Sequence, residues 1–250
     1  EAGKVLYRHA QLILRQFDQA QNDVKHSGQT LSGQVSVGLA PGTAASALSL
    51  PLLKAVRARH PGVLLYLNEN FGTTLSELIM NGRMDMAVLY GSKPVHGLSF
   101  MPLMKEELFL VSPMDLPLAE GQIPLAQLQD VELLLPRPYN VVRKLVDEAF
   151  MGIHRAPNVV AEIESATTLV AAIANGLGAT ILPGSAARIV GAACSARLSR
   201  ITDPVIEAPL ALCVSDHLPM SEPAAAVKEI LLELVGDLAA DNTSLAVLQP

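Results

Sequence analysis

The sequence predicts an α/β protein in which helices cover the faces of a parallel sheet, with a long amphipathic helix in front. Strand and helix patterns alternate regularly from Gly33 onward, and a heptad spacing of apolar residues fills the segment before it. Half of the 250 residues are hydrophobic, with a mean hydropathy of +0.34, which is ample for a large core. Strands that alternate with helices are joined in parallel, and small ligands bind beyond their carboxyl ends.

Glycine and proline mark the element boundaries in the first part of the chain. Pro41-Gly42-Thr43 breaks the first strand, His60-Pro61-Gly62 stops the first helix, and Gly82 lies at the C-cap of the second. Period-two alternation or short apolar runs indicate strands, and apolar residues three or four apart indicate helices. The predicted elements are a strand over 34–39, a helix through Val56, a strand over 63–67, a helix over 73–81 and a strand over 85–90.

The second half of the chain repeats this alternation with an unrelated sequence. Ser165 and Ser221 are predicted N-caps, because their hydroxyls can accept from the first free N–H groups of a helix. The predicted elements are a strand over 107–111, a turn-rich loop over 113–124, a short helical piece over 125–128, strands over 131–135 and 158–163 separated by a helix over 139–151, a helix from Ser165 to Asn175, a strand over 179–182 stopped by Pro183, a strand over 210–214 and a terminal helix after Ser221.

The segment before Gly33 has the seam of a dimerising helix. Its apolar residues are spaced four, three, four, three and four apart, as in a coiled coil. These are Leu6, Ala10, Ile13, Phe17, Ala20 and Val24. Linker-like residues 27–33 follow, which favours a helix that pairs two chains over one that packs on its own domain. The start at Glu1-Ala2-Gly3-Lys4, without an initiator Met, predicts that the protein continues upstream.

Composition narrows the class of protein. The net charge of −6 argues against a strong nucleic-acid surface on this part of the chain. The cysteines Cys194 and Cys213 lie far apart in apolar surroundings, which fits reduced, buried thiols and a cytoplasmic location. Neither a signal peptide nor a run of about 18 apolar residues is present, so no membrane partner is expected.

Catalytic, metal and cofactor signatures are weak. The six histidines are scattered singly without HExxH spacing, so no metal ligand is assigned. Residues 42–46 lack the lysine of a P-loop, and Ser185 lacks the closing glycine of a GxSxG elbow. Glu162 and Glu164 lie near a strand end, where a structural role is favoured over acid–base work. We therefore expect no catalytic residue, no cofactor and no enzymatic activity.

Polar residues that follow the predicted strands are the candidate ligand contacts. Thr43 and Ser165 each open a helix just past a strand, so free backbone N–H groups and the positive helix end point beyond the sheet. Thr73, Tyr90, Arg137 and Tyr139 also follow strands. For each residue, simple capping or turn chemistry is the alternative.

The order and spacing of several short segments resemble the LysR-type transcriptional regulators without their winged helix-turn-helix. The matching segments are 1–3 with the following helix, Gly33-Gln34-Val35-Ser36-Val37-Gly38, Leu50-Pro51-Leu52-Leu53, His60-Pro61-Gly62-Val63, 82–88, 102–108 and 176–183. The resemblance implies two Rossmann-like subdomains joined by two crossover strands, as in type 2 periplasmic binding proteins. It also implies that the helix that reads DNA lies upstream of Glu1.

The resemblance also implies a domain organisation. Its parts are a linker or dimerisation helix over 1–26, a hinge over 27–32, regulatory subdomain I over 33–104 plus 207–236, regulatory subdomain II over 105–206 and a flexible tail over 237–250. Segments 38–46, 87–91, 146–150 and 227–232 are most similar to the family's regulators of nitrogen assimilation. The alternative class is a cytoplasmic or periplasmic solute-binding protein with the same two lobes.

The implied activity is regulation of transcription, by activation or repression, in the cytoplasm. The implied partners are a second copy of the chain in a dimer or tetramer, promoter DNA bound through the upstream domain, RNA polymerase, and a small polar or anionic metabolite. The residues implied for effector binding are Thr43, Thr73, Tyr90, Arg137 and Ser165. Ala44 and Ala45 depart from the family pattern, because many relatives carry hydroxyls there, and this leaves fewer hydrogen-bond donors for an effector.

Overall fold

The computed structural model describes most of the chain. The described residues are 2–3, 6, 9–10, 13–14, 17, 21, 31–40, 44–70, 72–91, 95–118 and 121–247, without the side chains of 44–46 and 241–247. All described residues between 2 and 21 have helical backbone.

Strands and helices alternate over the described part of the chain. In chain order the elements are β1 (Ser32–Leu39), α1 (Ala44–Arg59), β2 (Gly62–Glu69), α2 (Gly72–Met80), β3 (Met86–Tyr90), β4 (Leu98–Ser112), β5 (Gly121–Pro124), a 3-10 turn (Leu125–Leu128), β6 (Leu133–Leu135), α3 (Val141–Gly152), β7 (Val159–Glu162), α4 (Ala166–Ala174), β8 (Thr180–Pro183), α5 (Gly184–Cys194), β9 (Arg197–Thr202), β10 (Glu207–Ser215) and α6 (Glu222–Val247).

The chain divides into two compact units, each built from three segments. Unit 1 comprises Glu1–Ala40, Leu48–Leu103 and Ala211–Leu238. Unit 2 comprises Pro41–Ala47, Met104–Leu210 and Ala239–Pro250. Strands β4 and β10 each begin in one unit and end in the other.

Unit 1 is built on a sheet with the strand order β2-β1-β3-β10. β1 pairs in parallel with β2 over eight residues and with β3 at its carboxyl end. Val35, Val37 and Leu39 of β1 are fully buried, and Ser36, between Val35 and Val37, is only 5% exposed. A strand buried on both faces is expected where helices cover a parallel sheet.

The start of β3 is tied to β1 by a part-buried polar contact. Asp85 Oδ2 accepts hydrogen bonds from the backbone N (2.7 Å) and the hydroxyl (2.6 Å) of Ser36, while the Asp85 N–H donates to Ser36 Oγ at 3.0 Å. Nearby, a Cβ on Gly38 would lie only 2.6–2.9 Å from Met84, Leu75 and Ala87. The glycine therefore allows α2 to pack closely against β1.

Unit 2 contains β4 paired antiparallel with β8 and β9, β5 parallel to β9, and β6 parallel to β7. Two acidic residues of β4 bind other elements. The Glu106 carboxylate, which is 2% exposed, accepts from the Ser185 N–H at the start of α5, 3.0 Å away. Glu107 accepts two bonds from the Arg200 guanidinium, at 2.5 and 2.6 Å. Bonds to charged groups are stronger than neutral ones, so these contacts fix α5 and β9 against β4.

Four elements differ from the sequence-based prediction. The loop predicted over 113–124 ends in strand β5, and helix α5 and strand β9 were not predicted. α5 is composed largely of small residues, and β9 reads Arg-Leu-Ser-Arg-Ile-Thr, so neither shows a clear apolar period. α6 runs to Val247 and thus enters the segment predicted as a flexible tail over 237–250, where alanine and leucine are good helix formers.

Candidate functional site

In unit 1, two predicted contact residues lie at the carboxyl ends of parallel strands. Thr73 lies in the first turn of α2, which follows β2, and it is exposed. Tyr90 is the last residue of β3 and is only 7% exposed, so its ring is almost enclosed by unit 1. The backbone N–H groups in the first turn of a helix have no acceptors within that helix, so the start of α2 presents hydrogen-bond donors at this edge.

In unit 2, three polar residues lie beyond the paired strands β6 and β7. Arg137 and Tyr139 follow β6, and Ser165 follows β7, which is parallel to it. Ser165 caps α4, as predicted: its Oγ accepts from the Thr168 N–H at 3.3 Å and from the Thr168 hydroxyl at 3.1 Å. The carboxyl edge of these strands is therefore lined by a helix start, a guanidinium and a phenol.

Carboxylates lie beside these groups and offset much of the positive charge. The Glu162 carboxylate is 3.8 Å from Arg137 Nε and 3.6 Å from Arg143 Nη1. Arg143 is also held by Asp147, at 2.9 and 3.0 Å, and by the Pro136 carbonyl at 2.9 Å, with 11% of its side chain exposed. An anion that binds Arg137 must therefore compete with Glu162.

Tyr139 donates a short hydrogen bond to Glu164 at the same edge. This bond raises the pKa of the Tyr139 phenol, because the neutral phenol donates to the carboxylate and the negative charge of Glu164 opposes ionisation. The edge thus offers acceptors as well as donors, and it can bind a polar molecule that carries both kinds of group.

The structure groups the predicted effector contacts by unit. Thr73 and Tyr90 belong to unit 1, and Arg137 and Ser165 belong to unit 2. Thr43 lies outside the described residues. Sequence reasoning gave no role to Arg143, although its i,i+4 spacing to Asp147 is typical of a helical ion pair.

The described residues of the predicted dimerisation seam are open to solvent in the single chain. Leu6, Ile13 and Phe17 are 71%, 68% and 58% exposed, and Ala10 is also exposed. Ala20 and Val24 lie outside the described residues. Large apolar side chains at regular helical spacing are unusual on a free surface.

Other chemistry has little support in the described part of the chain. Among those residues no group of three or more His, Cys, Asp or Glu side chains is arranged to hold a metal ion. Both cysteines are free, and burial raises the pKa of Cys213 to about 12 and raises that of Cys194. Within the same residues, no helix has the length and apolarity needed to cross a bilayer.

Most of the chain matches a family of known proteins. The family model described as the LysR substrate binding domain matches residues 28–236. The chain therefore belongs to the LysR-type transcriptional regulators, and it contains their effector-binding domain.

Two curated relatives are similar over nearly the whole chain. The nitrogen assimilation regulatory protein Nac of Klebsiella aerogenes is 49% identical over 98% of this chain and 80% of its own length. Nac of Escherichia coli strain K12 is 47% identical over 94% of this chain and 76% of its own length.

A solved structure has the same fold. The effector binding domain of QuiR in complex with shikimate has a TM-score of 0.71 at 20% identity, covering 83% of this chain and 99% of that one. Family and fold together confirm the predicted class, two Rossmann-like subdomains joined by two crossover strands.

Proposed function

We propose that this chain is the regulatory part of a protein that controls nitrogen assimilation genes as an activator or a repressor. The observation that carries the proposal is the 49% identity to Nac, which extends over 98% of the chain. The protein acts in the cytoplasm, and its partners are promoter DNA, bound through an upstream domain, and RNA polymerase. Transcription profiling of a deletion strain during nitrogen limitation tests it. Unchanged nitrogen assimilation transcripts would contradict it.

We propose that residues 1–250 alone do not bind duplex DNA with specificity. Specific binding needs phosphate neutralisation and base contacts, and the net charge of −6 provides neither. Gel shifts at physiological salt compare the chain with the full-length protein on its own promoter. A site-specific complex formed by residues 1–250 would refute this proposal without affecting the family assignment.

We propose that two separate surfaces pair copies of the chain. The first is the seam of Leu6, Ala10, Ile13, Phe17, Ala20 and Val24. The second is edge strand β2, whose Leu64 and Tyr66 are 67% and 48% exposed. An unpaired strand edge with apolar side chains favours association, and two distinct pairing surfaces generate a tetramer as a dimer of dimers.

Charge in the seam tests this assembly. Replacing Ile13 and Phe17 by Asp is expected to halve the mass measured by light scattering, with an unchanged circular dichroism spectrum. A matched control replaces the exposed Met114 of unit 2 by Asp, which leaves the mass unchanged. An unchanged mass for the seam variant means that the helix packs on its own domain.

We propose that a small polar or anionic metabolite regulates the protein through Thr43, Thr73, Tyr90, Arg137 and Ser165. The support is the helix N-termini, each worth about 0.3–1 kcal/mol to an anion, and the guanidinium of Arg137. Calorimetric titration with shikimate, which QuiR binds, and with inorganic phosphate provides a first probe. Arg137→Gln is expected to weaken binding by at least about fivefold, because the contact that is lost is worth about 1 kcal/mol or more. Equal affinity of the variant would remove Arg137 from the site.

A further inference from the structure

Two turns of unit 1 bring together a pair of histidines that the effector proposal does not use. His96 lies in the turn before β4, and His217 lies in the turn after β10. The centroids of their rings are 5.9 Å apart, and the ring planes are inclined by 55°. The rings are thus neighbours without being stacked.

Backbone hydrogen bonds set the positions of these turns. The Asp216 N–H donates to the Gly97 carbonyl at 3.3 Å, which joins the two turns directly. The Leu98 N–H closes the first turn on Val95, at 3.1 Å. In the second turn, Ser215 Oγ accepts from the N–H groups of His217 and Leu218, at 3.3 and 3.2 Å. These hydrogen bonds therefore fix the backbone positions from which the two histidine side chains extend.

The His217 ring is oriented like that of a metal ligand. Its Nδ1 is 3.0 Å from the Asp216 carboxylate. Its opposite edge, with Cδ2 and Nε2, lies 3.8 Å from the position that a Cβ on Gly97 would occupy, so Nε2 faces the turn that carries His96. A carboxylate at Nδ1 holds the proton there and leaves the Nε2 lone pair for a metal ion.

We propose that His96 and His217 bind one divalent transition-metal ion of the zinc, nickel and copper class, and that Asp216 orients His217. Two imidazoles that share an ion at about 2.0–2.1 Å have centroids roughly 5 Å apart. The 5.9 Å between the His96 and His217 centroids is close to that value. Imidazole nitrogen suits these ions, and water completes their coordination. Among the described residues, no group of three or more His, Cys, Asp or Glu side chains is arranged to hold a metal ion. A site with only two protein ligands is compatible with this.

Metal titration of the tag-free protein tests the site. Zinc, followed by isothermal calorimetry, is expected to bind once per chain. His96→Gln and His217→Gln each remove this saturable binding, and Asp216→Asn weakens it about 10–100-fold. His154→Asn is the matched control, because His154 belongs to unit 2 and has a φ of 58°, which asparagine tolerates. Circular dichroism confirms that each variant is folded.

Copper(II) provides a spectroscopic readout that the histidine substitutions would not change if the histidines had only a structural role. Electron paramagnetic resonance is expected to show copper coupled to two nitrogen ligands in the wild type, and this two-nitrogen signal is expected to be lost in either histidine variant. The proposal is overturned if the wild type binds no zinc. It is equally overturned if both histidine variants bind zinc like the wild type, or if copper shows the same nitrogen coupling in all proteins.

Discussion

The strands of the two units are held by different forces. In unit 1 the parallel strands are fixed by close packing around Gly38 and by the part-buried Ser36–Asp85 contact. In unit 2 the residues beside the paired strands β6 and β7 form a cluster of charges, with Arg143 between Asp147 and Glu162. Packing depends on volume and is insensitive to salt, whereas partly exposed ion pairs weaken with salt. Substitutions in the two units should therefore respond to different variables.

The largest effect is expected from filling the space at Gly38. In Gly38→Ala the added methyl group meets Met84, Leu75 and Ala87 at 2.6–2.9 Å, so the variant should lose about 3 kcal/mol of unfolding free energy. Urea unfolding measures the loss, which should be equal at low and high salt. Gly236→Ala, where no atom lies within 4 Å, is the control and should gain about 0.5–1 kcal/mol. A small loss for Gly38→Ala would mean that α2 shifts freely.

The second prediction concerns the two arginines beside Glu162. Arg143→Met should cost about 1–2 kcal/mol, because it also removes the bonds to Asp147 and the Pro136 carbonyl. Arg137→Met is the matched control, since Arg137 is 62% exposed and its pair is worth less than about 1 kcal/mol. The loss for Arg143→Met should shrink in 1 M salt. Equal costs for both variants would show that burial of Arg143 has no effect.

A smaller effect should appear on acidification. The Arg200 guanidinium bonds to Glu107 and lowers the pKa of that carboxyl from 4.5. A lowered folded-state pKa stabilises the protein above the unfolded value, and this contribution is lost as the pH falls through the folded value. The difference in unfolding free energy between wild type and Glu107→Gln, less than about 1 kcal/mol, should be constant near pH 7. It should shrink as the pH falls below 4.5 and vanish below the lowered folded-state pKa of Glu107. A difference that persists in strong acid would contradict this account.

The smallest effect is spectroscopic. Glu164→Gln removes the carboxylate to which Tyr139 donates, so the pKa of the phenol should fall toward its ordinary value of 10.0. Ultraviolet difference titration follows ionisation of the phenol, and Tyr139→Phe identifies its part of the signal. Coinciding titration curves for wild type and Glu164→Gln would show that this hydrogen bond is not formed in solution.

The sequence predicts the parts of the fold in which local pattern and burial agree. β1, β2 and β3 have clear apolar patterns between glycine and proline signals, and each prediction overlaps its strand. The helix starts at Ser165 and Ser221 are confirmed by side-chain bonds to Thr168 and Ala224. A cap depends on a few adjacent residues, so it can be recognised in the sequence.

The elements that were missed depend on contacts distant in the chain. α5 begins where Glu106, 79 positions earlier, accepts from the Ser185 N–H, and no local pattern contains that information. The charge balance at the candidate site also depends on residues that are distant in the chain. Arg137 and Glu162 are near neighbours only because β6 and β7 pair in parallel. The types of residues at the site were predictable, but their pairing was not.

The interleaving of the two units has a consequence for synthesis on the ribosome. Nearly all of unit 2 has been made once Leu210 is translated, whereas unit 1 still lacks Ala211–Leu238. Those residues include the second half of β10, from Ala211 to Ser215, and β10 is the strand next to β3. They also include Cys213, which packs against α2. Unit 1, which contains the first strand to be translated, therefore still lacks part of its sheet when nearly all of unit 2 has been made. Until Ala211–Leu238 follow, the β3 edge stays open to other nascent chains. Slow translation just before Ala211 would prolong that exposure.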